Sequence, residues 1–160
     1  MQIIVSPPAF SDWAQLVGLL RESFAYMESR IDPPSSLTKM GIEEFKVKAV
    51  EETLIVAQED QELLGCAFVA LRDDCVYVGK VAVAQSARGR GVARQMLAAA
   101  EAVARKHRRM VLELQTRIEL VENQATFAAL GFEKVAETAH PGYSRPTSIT
   151  MRKRIAESAA

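Results

Sequence analysis

The sequence predicts a single α/β domain, with a mixed, mostly antiparallel sheet of about seven strands flanked by about four helices. Strand-like apolar runs and helical patterns of period 3.6 follow one another in the order β-α-α-β-β-β-α-β-α-β-β. The three strands in the middle are joined by turns too short to hold a helix, so we expect them to pair antiparallel. A chain of 160 residues can bury a substantial core and needs no second domain.

The N-terminal part predicts one strand and two helices. A short strand at residues 3–5 precedes a helix that begins at Ser11 or Asp12, which are residue types that cap helix N-termini. The apolar side chains of this helix share one face: Trp13, Leu16, Val17, Leu20 and Phe24. Residues 30–36 form a loop that could wall a substrate pocket. A weaker helix follows, with a sparse apolar set of Leu37, Met40, Phe45 and Ala49.

The next three predicted elements are the antiparallel strands, at residues 53–58, 63–71 and 76–84. Pairing outward from the second turn, at residues 72–74, sets Cys75 near Arg72 and Cys66 near Val81. The two cysteines are then too far apart for a disulfide bond. Both are expected to pack as small apolar groups.

The C-terminal half alternates helices and strands. A long amphipathic helix at residues 92–108 ends in basic side chains that suit its negative end, so we interpret His107 as a surface group rather than a catalyst. The remaining elements are a strand at 110–115, a short helix at 122–130 ended by Gly131, and strands at 132–137 and 147–152. Residues 155–160 are predicted to be a frayed tail.

Composition excludes some classes of function. The 20 basic and 20 acidic residues balance, so the positive field typical of nucleic-acid binders is missing, and we expect no nucleic-acid partner. No apolar run is long enough to span a membrane, and the N-terminus does not resemble a signal peptide. The sequence therefore predicts a soluble cytoplasmic protein without a membrane partner.

The most informative motif is the run Arg-Gly-Arg-Gly-Val-Ala at residues 88–93, between an apolar strand and the long helix. Glycines at such a junction let backbone N–H groups approach a ligand, and the first helical turn adds unpaired donors and a positive dipole end. Such a turn is suited to binding phosphate. No Gly-Lys-Ser/Thr follows, as a P-loop requires, and Arg94 replaces the third glycine of the dinucleotide fingerprint.

With its flanking elements, this turn resembles the GNAT superfamily of N-acetyltransferases, which use acetyl-coenzyme A as acetyl donor. The resemblance covers nearly the whole chain and is firmest over residues 81–104. A second stretch, with Thr116, Glu122, Asn123, Phe127 and Leu130-Gly131-Phe132, is similar to a variant of another family motif. The resemblance implies the GNAT fold, an acetyl-CoA cosubstrate and no metal.

The resemblance also implies which residues bind the coenzyme. In the family, the peptide groups of one strand pair with the pantetheine arm, and the matching residues here are Val81, Ala82 and Val83. That strand and its neighbour in the sheet, here residues 110–115, splay apart in the family. The pyrophosphate binds the turn, which here corresponds to Arg88, Gly89, Arg90, Gly91, Val92, Ala93 and Arg94. Asn123 and Phe127 match positions along the coenzyme arm. For each arginine, a solvated basic edge is an equal alternative, and Asn123 could instead cap its helix.

Two departures from the family leave the proton transfers open. Many members carry a tyrosine acid at the position of Phe127 and a glutamate base near that of Lys80, which we interpret as a surface or sheet-edge charge. Glu119 and Glu122, which follow the central strand, and His140, which shares a rigid Pro-Gly turn with Tyr143, are further candidates. We name two catalytic candidates: Glu113, if it faces the cleft, and Tyr143, as a proton donor or acceptor-pocket residue.

The predicted function is acetyl transfer from acetyl-CoA to an amine, by direct attack in a ternary complex. We expect a small-molecule acceptor, framed by residues 30–38 and 140–146, whose identity the sequence does not specify. One alternative is a coenzyme-A-binding module with weak or no catalysis. Another is acetylation of protein N-termini or lysines. Because dimers are common in the family, the resemblance leaves a homodimer open.

Overall fold

The structure is a computed structural model that describes residues 1–156. It contains seven strands: β1 (Gln2–Val5), β2 (Thr53–Glu59), β3 (Glu62–Leu71), β4 (Val76–Val83), β5 (Val111–Arg117), β6 (Glu133–Thr138) and β7 (Ser148–Arg154). It contains four α-helices: α1 (Trp13–Phe24), α2 (Ile42–Glu51), α3 (Val92–Lys106) and α4 (Val121–Ala129). The predicted α/β fold and the order of its elements are confirmed.

The seven strands form one mixed sheet in the order β1-β2-β3-β4-β5-β7-β6. Every neighbouring pair is antiparallel except β4 and β5, which are parallel. The parallel pair is central, and α3 makes the crossover between its two strands. The predicted antiparallel run in the middle of the chain is therefore correct.

Helices cover both faces of the sheet and bury two apolar layers. On one face, α3 packs Met96, Ala100 and Ala104 against the strands. On the other face, Leu20 of α1 and Phe45 of α2 are completely buried. This division follows from the strand periodicity, because alternate residues of a strand point to opposite faces.

The second predicted helix is interrupted. A short 3-10 helix (Ser36–Lys39) comes first, and the Ser35 hydroxyl accepts a hydrogen bond from the backbone N–H of Leu37. The chain is extended at Met40 and Gly41 before α2 begins. The apolar set was too sparse to show that its members belong to two elements.

Both cysteines are free and buried, as predicted. Arg72 and Cys75 close the hairpin turn through a backbone hydrogen bond of 2.9 Å. Cys66 pairs with Ala82 rather than with Val81, one residue away from the predicted register. The shift comes from a bulge in β4, described below.

The predicted frayed tail, residues 155–160, wrongly includes Ile155. Ile155 is only 3% exposed, and its N–H donates to the Met110 carbonyl at 2.9 Å, so residue 155 belongs to the core and is not frayed. Residues 157–160 of that tail lie outside the described residues. Among residues 1–156, no helix has the length and apolar composition needed to cross a membrane.

Candidate active site

A cleft opens where the two central strands diverge. β4 and β5 pair only at Val76 with Leu112 and at Tyr77 with Glu113, and beyond these residues the ladder ends. Peptide groups that a longer ladder would pair are left facing the gap. The gap encloses a cavity of about 750 Å³. The splay that the family resemblance implies is therefore present.

The lining of the cavity combines apolar side chains with cationic ones. Its apolar wall contains Phe24, Met27, Val81, Leu114, Leu120 and Phe127. Its charged lining residues are Lys39, Lys48, Lys80 and Arg117. Among the described residues, no aspartate or glutamate lines the cavity. This imbalance contrasts with the neutral charge of the whole chain.

A β-bulge in β4 turns one of these cations into the cleft. Phe68 pairs with Gly79 and Cys66 pairs with Ala82, so two residues of β4 oppose one of β3. The first of these two residues is Lys80, whose backbone φ of +52° is unusual for a residue other than glycine. Its Nζ donates to the Ser36 hydroxyl at 3.0 Å.

The electrostatic setting of Lys80 differs from that of a surface lysine. Burial lowers the pKa of Lys80, and the positive charges of Lys48 and Arg117 lower it further, against a small opposing effect of Glu52. The interpretation of Lys80 as a surface or sheet-edge charge is wrong. The strand pattern could not show this, because a bulge interrupts the alternation without changing composition.

The glycine turn has the geometry of an anion site. Gly89 and Gly91 have φ of +80° and +77°, and a Cβ built at either position would meet no atom within 4 Å. The turn is therefore open on its outer side. Within the described residues, the N–H groups of Gly89, Gly91, Val92 and Ala93 have no backbone acceptor, as expected for a helix that starts at Val92.

The arginines of the turn are not equivalent. Arg90 donates to the Glu59 carboxylate at 2.7 Å, and the N-terminal amine of Met1 lies 3.3 Å from the same oxygen. The hydrogen bond from Arg90 is the main cause of the lowered pKa of Glu59. Arg88 and Arg94 are exposed. The side chain of Arg90 is thus held by the protein itself, whereas its neighbours face solvent.

The two α4 residues matched to the coenzyme arm both line the cavity. The amide oxygen of Asn123 accepts a hydrogen bond from the Tyr26 hydroxyl at 3.2 Å, so Asn123 does not cap α4. Phe127 packs edge-on against Phe132, with ring centroids 5.9 Å apart. On β4, Val81 lines the cavity as well, and the Val83 carbonyl accepts a hydrogen bond of 3.3 Å from the hydroxyl of Ser23.

Arg117, at the end of β5, holds a loop segment that lines the cleft. Its guanidinium donates to the Pro33 carbonyl at 2.6 Å and to the Pro34 carbonyl at 3.2 Å. Burial lowers the pKa of Arg117, and the charges of nearby carboxylates, Glu119 first, oppose that shift. The sequence analysis did not single out Arg117. A basic residue that ends an otherwise buried strand was the one indication available.

The loop between β6 and β7 contributes His140 and Tyr143, and both line the cavity. The Tyr143 hydroxyl donates to an Asp32 carboxylate oxygen at 2.6 Å, and this bond raises the pKa of the phenol. The Nδ1 atom of His140 is hydrogen-bonded to the Thr147 hydroxyl. Burial lowers the pKa of His140, and the charge of Arg117 adds to the effect.

Glu113 does not lie at the cleft. Its side chain is 9% exposed and accepts hydrogen bonds from Arg72 and Arg152, each at 2.9 Å. These bonds hold both carboxylate oxygens away from the cavity, whose described lining does not include Glu113. Strand alternation correctly predicts that Glu113 points to the opposite face of the sheet from Leu112 and Leu114. That face carries Arg72 and Arg152 and not the cleft.

The fold and this cleft agree with the comparison to known families. The model of the acetyltransferase (GNAT) family matches residues 13–132. This chain belongs to that family. The match makes the protein an acyltransferase, as the family resemblance implied. Within residues 1–156, no cluster of three or more His, Cys, Asp or Glu side chains is arranged to hold a metal ion.

Solved structures share the GNAT fold across nearly the whole chain. The PaiA N-acetyltransferase from Thermoplasma acidophilum, in complex with coenzyme A, has a TM-score of 0.79 at 14% identity, over 96% of this chain and 99% of that one. A GNAT family acetyltransferase from Elizabethkingia anophelis with acetyl-CoA bound has a TM-score of 0.67 at 16% identity, over 96% and 97%. A Staphylococcus aureus GNAT acetyltransferase has a TM-score of 0.73 at 12% identity, over 97% and 100%.

Proposed function

We propose that this GNAT protein transfers the acetyl group of acetyl-CoA to the amine of a small molecule, by direct attack in a ternary complex. The observation that carries the proposal is the divergence of β4 and β5 beyond Tyr77, which creates a cleft lined with unpaired peptide groups. The cavity of about 750 Å³ has the size of a small-molecule site. Its partly closed shape suits a small acceptor better than a protein surface.

The donor is proposed to bind along β4 and the glycine turn. The open N–H groups of Gly89, Gly91, Val92 and Ala93 fit a pyrophosphate at the positive end of α3. Peptide groups of residues 81–83 would pair with the pantetheine arm as an added strand, and the Val83 carbonyl would exchange its hydrogen bond to Ser23 for this pairing. Asn123 and Phe127 would line that arm, and the exposed Arg88 and Arg94 would face the phosphates.

Direct attack is favoured over an acetylated cysteine. Burial raises the pKa of Cys66 to about 12, so its thiol stays protonated at neutral pH. Cys75 is also buried, and burial raises its pKa as well. Neither thiol lines the cavity in the described part of the chain. A backbone N–H of residues 81–83 would instead hold the oxyanion formed when the amine attacks the thioester.

The attacking amine must lose a proton, and His140 is the residue best placed to accept it. Its imidazole lines the cavity, and its lowered pKa keeps it neutral at pH 7. With Nδ1 bonded to Thr147, the Nε2 atom is the one available to the acceptor. Tyr143 is less suited, because its raised pKa and its bond to Asp32 keep the phenol protonated. We propose Tyr143 as an acceptor-pocket residue.

The leaving thiolate does not require an acid. A thiol of pKa near ~8.5 leaves readily as an anion, so protonation contributes less than it would for an alkoxide. Phe127, which cannot donate a proton, is therefore compatible with turnover. Its proposed role is to line the coenzyme arm, supported by its place on the apolar wall of the cleft.

Calorimetric titration of coenzyme A into Gly91→Glu and Gly91→Ala variants tests the donor site. Both substitutions strain a residue with φ of +77°, and both have open space for a Cβ. Only the glutamate adds negative charge beside the phosphates, so it should abolish binding while the alanine variant retains it. Equal binding by wild-type and Gly91→Glu protein would refute the proposed turn.

An acceptor screen that follows thiol release tests catalysis. Small amines, polyamines and peptides with free N-termini or lysines form its three arms. Turnover of small amines supports the proposal, whereas turnover of peptides alone would favour a protein acetyltransferase. Tight coenzyme A binding without thiol release in any arm would favour a module that binds the coenzyme without useful catalysis.

A further inference from the structure

The acceptor side of the cleft carries an excess of positive charge that coenzyme binding does not explain. Four cations line the cavity, Lys39, Lys48, Lys80 and Arg117, and within residues 1–156 no carboxylate lines it. The glycine turn proposed for the phosphates does not line this cavity. The cationic group therefore faces a different part of the bound molecules.

Two of these cations are held by neutral oxygens. Lys80 donates to the Ser36 hydroxyl at 3.0 Å, and Arg117 donates to the Pro33 and Pro34 carbonyls. These bonds position both groups without neutralising their charge. An ammonium group has three N–H donors, so Lys80 has donors left for a ligand.

The carboxylates whose charges act on Lys80 and Arg117 are hydrogen-bonded to other groups. Glu52 accepts a hydrogen bond from Lys48 at 2.7 Å, and Asp32 accepts from Tyr143 and Arg145. Glu119 accepts the backbone N–H of Asp32 at 3.1 Å. Glu52 thus pairs with Lys48, one of the four cations of the cavity, and Glu119 and Asp32 act on Arg117 without forming an ion pair with it. Among the described residues, neither Lys80 nor Arg117 is ion-paired with a carboxylate.

Like charges in a half-buried cleft are costly unless an anion enters. The charges of Arg117 and Lys48 both act on Lys80, which is itself partly desolvated. A negatively charged group placed among them would gain Coulomb energy and relieve this repulsion. A polyamine or a lysine side chain would add a further positive charge instead.

We propose that the acceptor is a small amine that also carries a carboxylate, and that Lys80, with Arg117, binds this carboxylate. The proposal rests on the acetyltransferase function proposed above and specifies its substrate class. Lys80 lies at the bulge beside Val81, where the strand borders both the acceptor space and the proposed thioester position. Binding the carboxylate there would orient the amine of the same molecule.

The test compares pairs of amines that differ only in the carboxylate, such as phenylalanine with phenethylamine and tyrosine with tyramine. Wild-type protein should prefer the amino acid of each pair by about 10-fold or more in kcat/KM, the value of a charge-assisted hydrogen bond. Equal or better turnover of the decarboxylated amines, or of spermidine, would overturn the inference and leave the acetyltransferase proposal intact. A preference for phosphoethanolamine over the amino acids would overturn it as well.

Variants of Lys80 attribute the preference to one side chain. Lys80→Met should raise the KM for the amino acids about 10-fold or more, with little change for the decarboxylated amines or for acetyl-CoA. Lys80→Arg should retain the preference, because it keeps the charge. Lys46→Met removes an exposed lysine on α2 that pairs with Glu43, so it controls for net charge and should behave as wild type. An unchanged preference in Lys80→Met would contradict the inference.

Direct binding separates this inference from the function that it rests on. Calorimetry of the same amine pairs against the protein saturated with coenzyme A needs no turnover. Binding of the amino acids that Lys80→Met loses supports the carboxylate site, even if no thiol is released. If the protein binds coenzyme A but not the carboxylate-bearing amines, the carboxylate site is refuted.

Discussion

Glu113→Gln is expected to destabilise the protein while leaving acetyl transfer unchanged. The reason is that Glu113 lies away from the cleft, between two guanidinium groups. Arg72 and Arg152 each donate to one of its carboxylate oxygens at 2.9 Å. The bond to Glu113 is also the main cause of the raised pKa of Arg152. A neutral amide keeps the shape of the side chain but loses this charge.

The magnitude follows from the exposure of the three groups. The Glu113 side chain is 9% exposed, whereas Arg72 is 49% and Arg152 is 35% exposed, so both arginines stay hydrated after the substitution. Removing one member of a fully buried ion pair costs about 3–5 kcal/mol, and hydrated partners reduce this figure. We therefore expect the free energy of unfolding to fall by about 2 kcal/mol, because the NH₂ group of the new amide would face an arginine N–H and cannot accept its hydrogen bond. For a chain of this length, this loss of stability lowers Tm by about 4–8 °C.

Thermal denaturation gives the stability, and thiol release with the best acceptor gives kcat. Glu133→Gln is the matched control, because Glu133 is exposed on β6 and should change stability by less than about 0.5 kcal/mol. A loss of kcat of about 100-fold in Glu113→Gln, with Tm unchanged, would show that Glu113 acts in catalysis and that the assignment is mistaken.

Four shorter predictions test other parts of the structure. Gly65→Ala should cost about 1–3 kcal/mol in chemical denaturation, because its Cβ would lie 2.9 Å from a Val92 methyl. NMR titration should show that the pKa of His140 is lower than that of an ordinary histidine, because its imidazole is partly buried and close to Arg117. Since the neutral imidazole accepts the proton, kcat should fall as the pH drops through this lowered pKa, and His140→Gln should lack that fall. Tyr143→Phe should raise the acceptor KM several-fold and preserve kcat. Cys66 should resist thiol reagents at pH 8 until the protein is unfolded, because burial raises its pKa to about 12.

The fold was predictable because its determinants are local. Strand alternation, the apolar stripe of α3 and short turns between β2, β3 and β4 each depend on a few adjacent residues. The interruption at Met40 was missed because a sparse apolar set fits one helix or two. Ile155 was placed in a frayed tail because its partner, the Met110 carbonyl, is distant in sequence.

The site was only partly predictable, because cleft geometry depends on contacts between distant segments. The resemblance to the family indicated a splay between two strands, and β4 and β5 do diverge. It could not indicate the partners of Glu113, which come from a hairpin turn and from β7. The bulge at Lys80 adds one residue to a strand whose composition is otherwise regular, so the sequence could not reveal that this side chain lines the cleft.

Donor and acceptor recognition depend on different chemical groups in this protein, and they should therefore respond differently to mutation. The proposed donor site consists mainly of peptide N–H groups, which a side-chain substitution changes only when it alters backbone geometry or fills the space beside it. The acceptor side consists of side-chain cations, held in place by Ser36 and by the Pro33 and Pro34 carbonyls. Substitutions there can change which amine is bound while the coenzyme site stays intact. Because the bulge puts Lys80 next to the strand proposed for the thioester, a change of acceptor class needs only a few side chains and no change of fold.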